Sequence, residues 1–168
     1  MSAYGEGERS PVEWAVLPLK KYATFSGRAP RREYWWFYLG TIIVGFVLGL
    51  LGTLFGVGRN LADIANLALV LPWIGVTVRR LHDTDRSGWW ILGFAVGLVA
   101  VVALVVGMNG LGAEPSKAGS FTMGIVAVVA MLGSFITFLV FMVLPGTEGS
   151  NRYGPDPYGP GDLEEVFA

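Results

Sequence analysis

The sequence predicts an all-α fold: a polytopic membrane protein with four transmembrane helices and both N-terminus and C-terminus cytoplasmic. Three observations predict it. Charged residues make up 15% of the chain, against about 25% in an ordinary soluble domain, and 53% are hydrophobic. The mean hydropathy is +0.55. The apolar residues stand in long unbroken runs instead of recurring at the periodicity of a water-facing core. The basic residues are segregated into the segments that one face of a bilayer would hold.

The elements follow in order. Residues 1–36 form a cytoplasmic segment carrying Glu6, Glu8, Arg9, Glu13, Lys20 and Lys21 and no apolar core, so no cleavable secretory signal is expected. Within it Trp14, Leu17, Lys20, Lys21, Tyr22 and Phe25 mix aromatic, aliphatic and cationic side chains as an interfacial helix would, shortened or broken by Pro18. A plain solvated linker fits the same composition. The transmembrane domain covers 37–144. Its first run, 37–57, has 21 residues without a charge and as a helix spans about 31 Å, one bilayer crossing. The run 91–108 spans about 27 Å and 121–144 about 36 Å. The second segment, 61–78, is weaker, because Asp63 and Asn66 stand in its first turns and Pro72 removes a hydrogen bond in its middle. Residues 145–168 carry Pro145, Pro155, Pro157 and Pro160 among glycines and read as an extended or disordered cytoplasmic tail.

Charge decides for the weak segment. With four crossings one side holds Arg9, Lys20, Lys21, Arg28, Arg31, Arg32, Arg79, Arg80, Arg86 and Arg152, and the other only Arg59 and Lys117. That asymmetry is the positive-inside pattern, and a three-crossing chain would place Arg79, Arg80 and Arg86 outside. The expected location is the bacterial cytoplasmic membrane, with several passes.

Small residues offer helix-packing faces. Gly45, Gly49, Gly52 and Gly56 share one stripe of the first helix, Gly93 and Gly97 one of the third, and Ala127, Ala130, Ser134 and Thr137 one of the fourth. Packing inside one four-helix bundle is the expectation, and a homo-oligomer surface is the alternative.

Much chemistry is excluded. The chain has no cysteine and a single histidine, His82, so it cannot build a thiolate metal site, an iron–sulfur centre or a Cys–His nucleophile pair. His82 and Asp83 are helix neighbours about 100° apart, which is wrong for a base and its orienting partner. No catalytic residue, metal site or cofactor is expected, no nucleic acid partner, and no enzymatic activity.

Three stretches remain. Phe25-Ser26-Gly27-Arg28-Ala29-Pro30-Arg31-Arg32-Glu33-Tyr34-Trp35-Trp36 joins a turn, a cationic cluster and an aromatic anchor, with Pro30 suited to the first helical position. Val78-Arg79-Arg80-Leu81-His82-Asp83-Thr84-Asp85-Arg86-Ser87-Gly88-Trp89-Trp90 turns the chain between crossings, with Arg79 and Asp83 spaced as an i, i+4 pair. The third runs Leu144-Pro145-Gly146-Thr147 to Asn151-Arg152-Tyr153-Gly154. Together they resemble the small bacterial inner-membrane proteins grouped as domain of unknown function 805. The resemblance covers about residues 14–157 and implies a four-helix cytoplasmic-membrane protein, with no activity attached. Pro30 stands where the family resembled commonly has a small polar capping residue, and Asp85 where it often has glycine or another turn former.

All three stretches fall on the cytoplasmic side, predicting a polar lid of ion pairs. The face expected to meet lipid headgroups or a membrane partner comprises Arg28, Arg31, Arg32, Glu33, Trp35, Arg79, Arg80, His82, Asp83, Arg86, Trp89 and Arg152. Anionic membrane lipids are the expected ligands, because each basic residue near an anionic leaflet contributes about 1 kcal/mol. A purely architectural role for these charges is the competing reading. A small transporter or channel component, oligomerising along the glycine stripes, is the alternative function, although the inner parts of the crossings carry no ionisable residue.

Overall fold

The computed structural model describes residues 9–56, 58–110 and 117–158. They form five helices: α1 (Pro11–Lys20), α2 (Arg31–Phe55), α3 (Gly58–Asp83), α4 (Trp90–Gly110) and α5 (Lys117–Val143). Three of these contain segments long and apolar enough to cross a membrane: Arg31–Phe55, Asp63–Asp83 and Gly124–Val143. Among the described residues α4 adds the apolar stretch Trp90–Ala103. The segment with Pro72, the least apolar by sequence, is thus among the three.

The chain divides into two compact units, Met1–Gly88 with Pro145–Ala168, and Trp89–Leu144. In the first, α2 and α3 form an antiparallel hairpin with α1 packed against both. Tyr34 and Phe37 of α2 and Val76, Thr77 and Leu81 of α3 are buried there. Ile42, Ile43, Phe46, Leu50 and Leu54 remain exposed, as befits side chains whose solvent is lipid. In the second unit Phe94 meets Phe138 edge-on at 5.2 Å and Trp90 meets Phe141 at 5.4 Å.

The helices outrun the apolar runs. α2 starts six residues before Phe37 and α3 ends five after Val78, so each carries its arginines on helical backbone. Pro30 is the N-cap of α2, with φ −68° and ψ 161° and no side-chain cap, and Arg31 is the first helical residue. That places Pro30 one position earlier than expected, because its carbonyl already accepts the Tyr34 amide at 3.3 Å. Gly56 closes α2 in the left-handed conformation at φ 67°, a position glycine fills without a Cβ penalty.

The segment before α2 is a docked helix. Ser10 caps α1 by accepting the Glu13 amide while the Glu13 carboxylate accepts the Ser10 amide at 2.7 Å, a capping box, and Pro11 opens the first turn. Trp14 and Pro18 are buried. Ala15 Cβ lies 3.5 Å from where a Cβ on Gly40 would stand.

α3 runs through Pro72 without a break. Proline has no amide hydrogen, so the carbonyl four residues earlier, that of Ala68, loses its helical donor. Tyr22 replaces it: its hydroxyl donates to Ala68 O at 2.6 Å.

Within the first unit no described neighbour approaches Gly45 or Gly49 of the glycine stripe. Within its own unit, a Cβ on Gly45, Gly49 or Gly93 would meet no described atom within 4 Å, and only Gly97 faces a neighbour, Ser134 Oγ at 3.6 Å. Gly52 is half-buried and Gly56 is the cap. Close approach occurs instead at Gly75, Gly88 and Gly146.

Candidate functional site

The site lies where the start of α2, the end of α3 and the segment after α5 meet. α3 ends in a Schellman turn: the Arg86 amide reaches Leu81 O at 2.9 Å and the Asp85 amide reaches His82 O at 3.0 Å. Asp85 occupies the left-handed position, φ 56°, a conformation that glycine adopts without a Cβ penalty. Its short polar side chain makes this tolerable. The Ala29 amide donates to Arg79 O at 2.9 Å, pinning the segment that enters α2 against the last turns of α3.

Three buried arginines and two buried carboxylates fill this junction. Arg79 Nη1 stands 2.6 Å from Glu33 Oε1, with both side chains 1% exposed. Arg28 Nε stands 3.0 Å from Asp83 Oδ1, and Arg80 Nη1 pairs with Asp83 Oδ2. Arg79 and Asp83 therefore do not form the expected i, i+4 pair. Arg79 is claimed by Glu33 of α2, and Asp83 by Arg28 from the segment before α2 and by Arg80, one residue nearer along α3. Arg28 spends its remaining donors on backbone, Nη1 on Gly149 O at 2.6 Å and Nη2 on Thr147 O at 2.5 Å. Arg79 Nε bonds Gly75 O at 3.3 Å, while Arg79 Nη2 is buried without a partner among the described residues.

Those carbonyls come from the segment expected to be an extended or disordered tail, and this is a correction. Residues 145–158 lie docked as a strap, and 159–168 fall outside the described residues. The Thr147 amide donates to Asp83 O at 2.8 Å, and Asn151 Nδ2 donates to His82 O at 2.9 Å and to Thr147 Oγ1 at 2.9 Å. Tyr153 stacks on His82 with centroids 3.8 Å apart and planes 3° from parallel. His82 Nδ1 lies 3.2 Å from Gly27 O. A Cβ on Gly146 would stand 2.7 Å from Asp83 Cγ, closer than any real contact. A strap rich in proline and glycine has few apolar side chains to bury, but its amides and carbonyls can complete a buried polar network, and that is how it docks.

Arg28, Glu33, Arg79, Arg80, His82 and Asp83 are thus gathered into one lid. Arg152 lies at its edge, Nε 3.1 Å from Asp85 Oδ1, with its guanidinium 4.9 Å over the Tyr153 ring. Arg86 Nη1 bonds Thr84 O at 3.2 Å. Trp35 stands apart in an aromatic group, edge-on to Tyr34 at 5.3 Å and to Tyr38 at 5.9 Å. Trp89 opens the second unit and is exposed. Arg31 and Arg32 are exposed, as are Lys20 and the end of Lys21, whose Nζ is 4.0 Å from Glu33 Oε2. Burial pushes the Tyr158 phenol up, and the charge and backbone of Arg32 partly offset this. Sequence reasoning missed Tyr22, Gly146, Thr147, Asn151 and Tyr153 as participants. Four of them lie in the third motif, whose recurrence in the resemblance was the available signal.

The lid's carboxylates are occupied by guanidinium groups. Its arginines are spent internally, which separates them from the exposed cations around it.

The chain matches the family profile described as "Protein of unknown function (DUF805)" over residues 22–155. It is 36% identical over 151 residues to the inner membrane protein YhaH of Escherichia coli strain K12, covering 87% of this chain and 97% of that one. It is 35% identical over 147 residues to the inner membrane protein YhaI of the same strain, covering 87% and 96%. The uncharacterized protein YiiR of that strain is 32% identical over 143 residues, covering 79% and 85%. No solved structure matches. An all-helical chain with membrane-length apolar helices, carrying the family's motifs in order and aligned along nearly the full length of inner membrane proteins, belongs to the DUF805 family of unknown function.

Proposed function

We propose that this chain is a non-enzymatic, four-crossing protein of the bacterial cytoplasmic membrane, with both termini in the cytoplasm, that binds anionic lipid headgroups through the exposed cations around its lid. A parity argument supports four crossings. The Thr147 amide bonds Asp83 O, so the chain leaves the arginine end of the hairpin at α3 and returns to that same end after α5. Between those points it crosses an even number of times. If α5 spans, α4 spans with it, and its 21 residues as a helix reach about 31 Å. The segregation of basic residues supports the cytoplasmic assignment of that end.

The observation that carries the binding reading is the division of labour among arginines. Arg28, Arg79 and Arg80 are paired with carboxylates inside the lid, whereas Arg31 and Arg32 stand exposed in the first turn of α2. Cations at that level meet the phosphate layer of an anionic leaflet. Native mass spectrometry of the protein released from vesicles containing phosphatidylglycerol tests this. Retained anionic lipid, reduced roughly tenfold or more in the Arg31→Gln/Arg32→Gln variant, is expected at about 1 kcal/mol per cation. Equal retention by variant and parent, or none by either, would overturn the reading.

A further inference from the structure

We infer that α1 and the residues after it lie within the lipid leaflet at the arginine end, with Val12, Val16 and Leu19 facing acyl chains, and that Tyr22 locks them there through the carbonyl that Pro72 leaves open. The inference rests on the reading that α2 and α3 cross the membrane.

Depth carries the argument. The Glu33–Arg79 pair marks the charged level of the hairpin. Gly40, against which Ala15 packs, lies seven residues further along α2, or about 10 Å deeper. Gly75 lies four residues before Arg79, about 6 Å deeper, and the Thr24 carbonyl passes 3.3 Å from where its Cβ would stand, with the Tyr22 carbonyl at 3.8 Å. Two contacts on two different helices thus put this segment about 6–10 Å below the charged level, the depth at which amphipathic helices settle. Gly40 and Gly75 both fall inside uncharged runs.

The side chains suit that place. Val12, Val16 and Leu19 are spaced four and three apart on one edge of α1 and are 70%, 38% and 41% exposed. Trp14 and Pro18, on the other side, are buried. Lys21 sends its ammonium to within 4.0 Å of Glu33 Oε2, so its charge returns to the polar level while its backbone stays below, as snorkelling lysines do. Tyr22 reaches the other way. Its hydroxyl meets Ala68 O at 2.6 Å, eleven residues before Arg79 and about 16 Å from the charged level. At that depth no water replaces the donor missing at Pro72, and an unsatisfied carbonyl is costly. The tyrosine makes α3 tolerable as a span and fastens α1 to it with one bond.

Electron paramagnetic resonance on the full chain in phospholipid nanodiscs tests the inference, because the absence of cysteine allows one nitroxide at a time. Labels at Val12, Val16 and Leu19 are expected to collide with oxygen and to be shielded from a water-soluble nickel chelate, matching a label at Phe46 and contrasting with one at Ser150. Chelate access like that of Ser150 would overturn the inference, as would shielding from both reagents, the signature of a covering protein. An aqueous reading at Phe46 would overturn the spanning reading as well, which distinguishes the two failures. Tyr22→Phe is expected to raise chelate access at Val16 severalfold with Phe46 unchanged. No change at Val16 would remove the lock.

Discussion

Arg28 and Asp83, 55 positions apart in sequence, meet at 3.0 Å with side chains 1% and 2% exposed. The same carboxylate also binds Arg80, so one residue at the end of α3 holds a cation from each side of the hairpin. Removing one partner of a buried pair costs about 3–5 kcal/mol, because the other charge stays behind without compensation. Asp83→Asn is therefore expected to lower unfolding free energy in detergent by about 3–5 kcal/mol, and Asp83→Asn/Arg28→Gln to recover part of it. Equilibrium unfolding followed by Trp fluorescence reads both.

Gly146 sits against that carboxylate with no room for a methyl group. Gly146→Ala should destabilise the strap and the lid by about 1–3 kcal/mol through overpacking. Gly45→Ala, where the described neighbourhood in its unit is open, should stay within about 0.5 kcal/mol. Thermal unfolding of the two variants side by side checks the contrast, and equal effects would contradict the placement of the strap.

Tyr22 and Pro72 are coupled through a third residue, Ala68. Tyr22→Phe should cost about 1–3 kcal/mol by stranding the Ala68 carbonyl. In a Pro72→Ala background the new amide at position 72 supplies the helical bond, and Tyr22→Phe should then cost much less. A double-mutant cycle on unfolding free energies measures the difference, and strictly additive costs would show that the hydroxyl does not serve that carbonyl.

The capping box of α1 predicts a pH response. The Ser10 amide, and then its hydroxyl, hold the Glu13 carboxyl below the usual carboxylate range. A folded-state value below the unfolded one means that the cap's contribution is fully present above the unfolded value and is lost as pH falls through the folded one. Acidification from neutral pH to below that range should fray the first turn of α1, read by exchange of the Ser10 amide. Glu13→Gln should abolish the dependence.

Topology is checked with introduced cysteines. A cysteine at Ser150 should react with an impermeant maleimide only after the inner membrane is opened, whereas one at Glu114 should react in cells with only the outer membrane permeabilised. Identical behaviour at the two positions would contradict four crossings.

The membrane class, the helical architecture and the level of the arginines were legible in the sequence, because they depend on composition, run length and charge order, which are properties of the linear chain. Phe37 to Val57 reads as one span without reference to anything else. The tertiary structure decided which charges pair. Arg79 has Asp83 one turn away and Glu33 46 positions away, and it takes Glu33, because the end of α3 packs on the start of α2 and water is excluded there. It also located close approaches that no spacing marked: within the first unit they fall at Gly75 and Gly146, where single glycines admit a passing backbone or a carboxylate. The strap was illegible for a related reason: Thr147, Gly149 and Asn151 dock through backbone and amide groups, which composition scores as disorder. The sequence by itself determined that this chain is solvated by lipid and where its cations lie along it. Only the tertiary structure decided which cations are spent inside and which remain exposed, since that choice rests on distances between segments far apart in the chain.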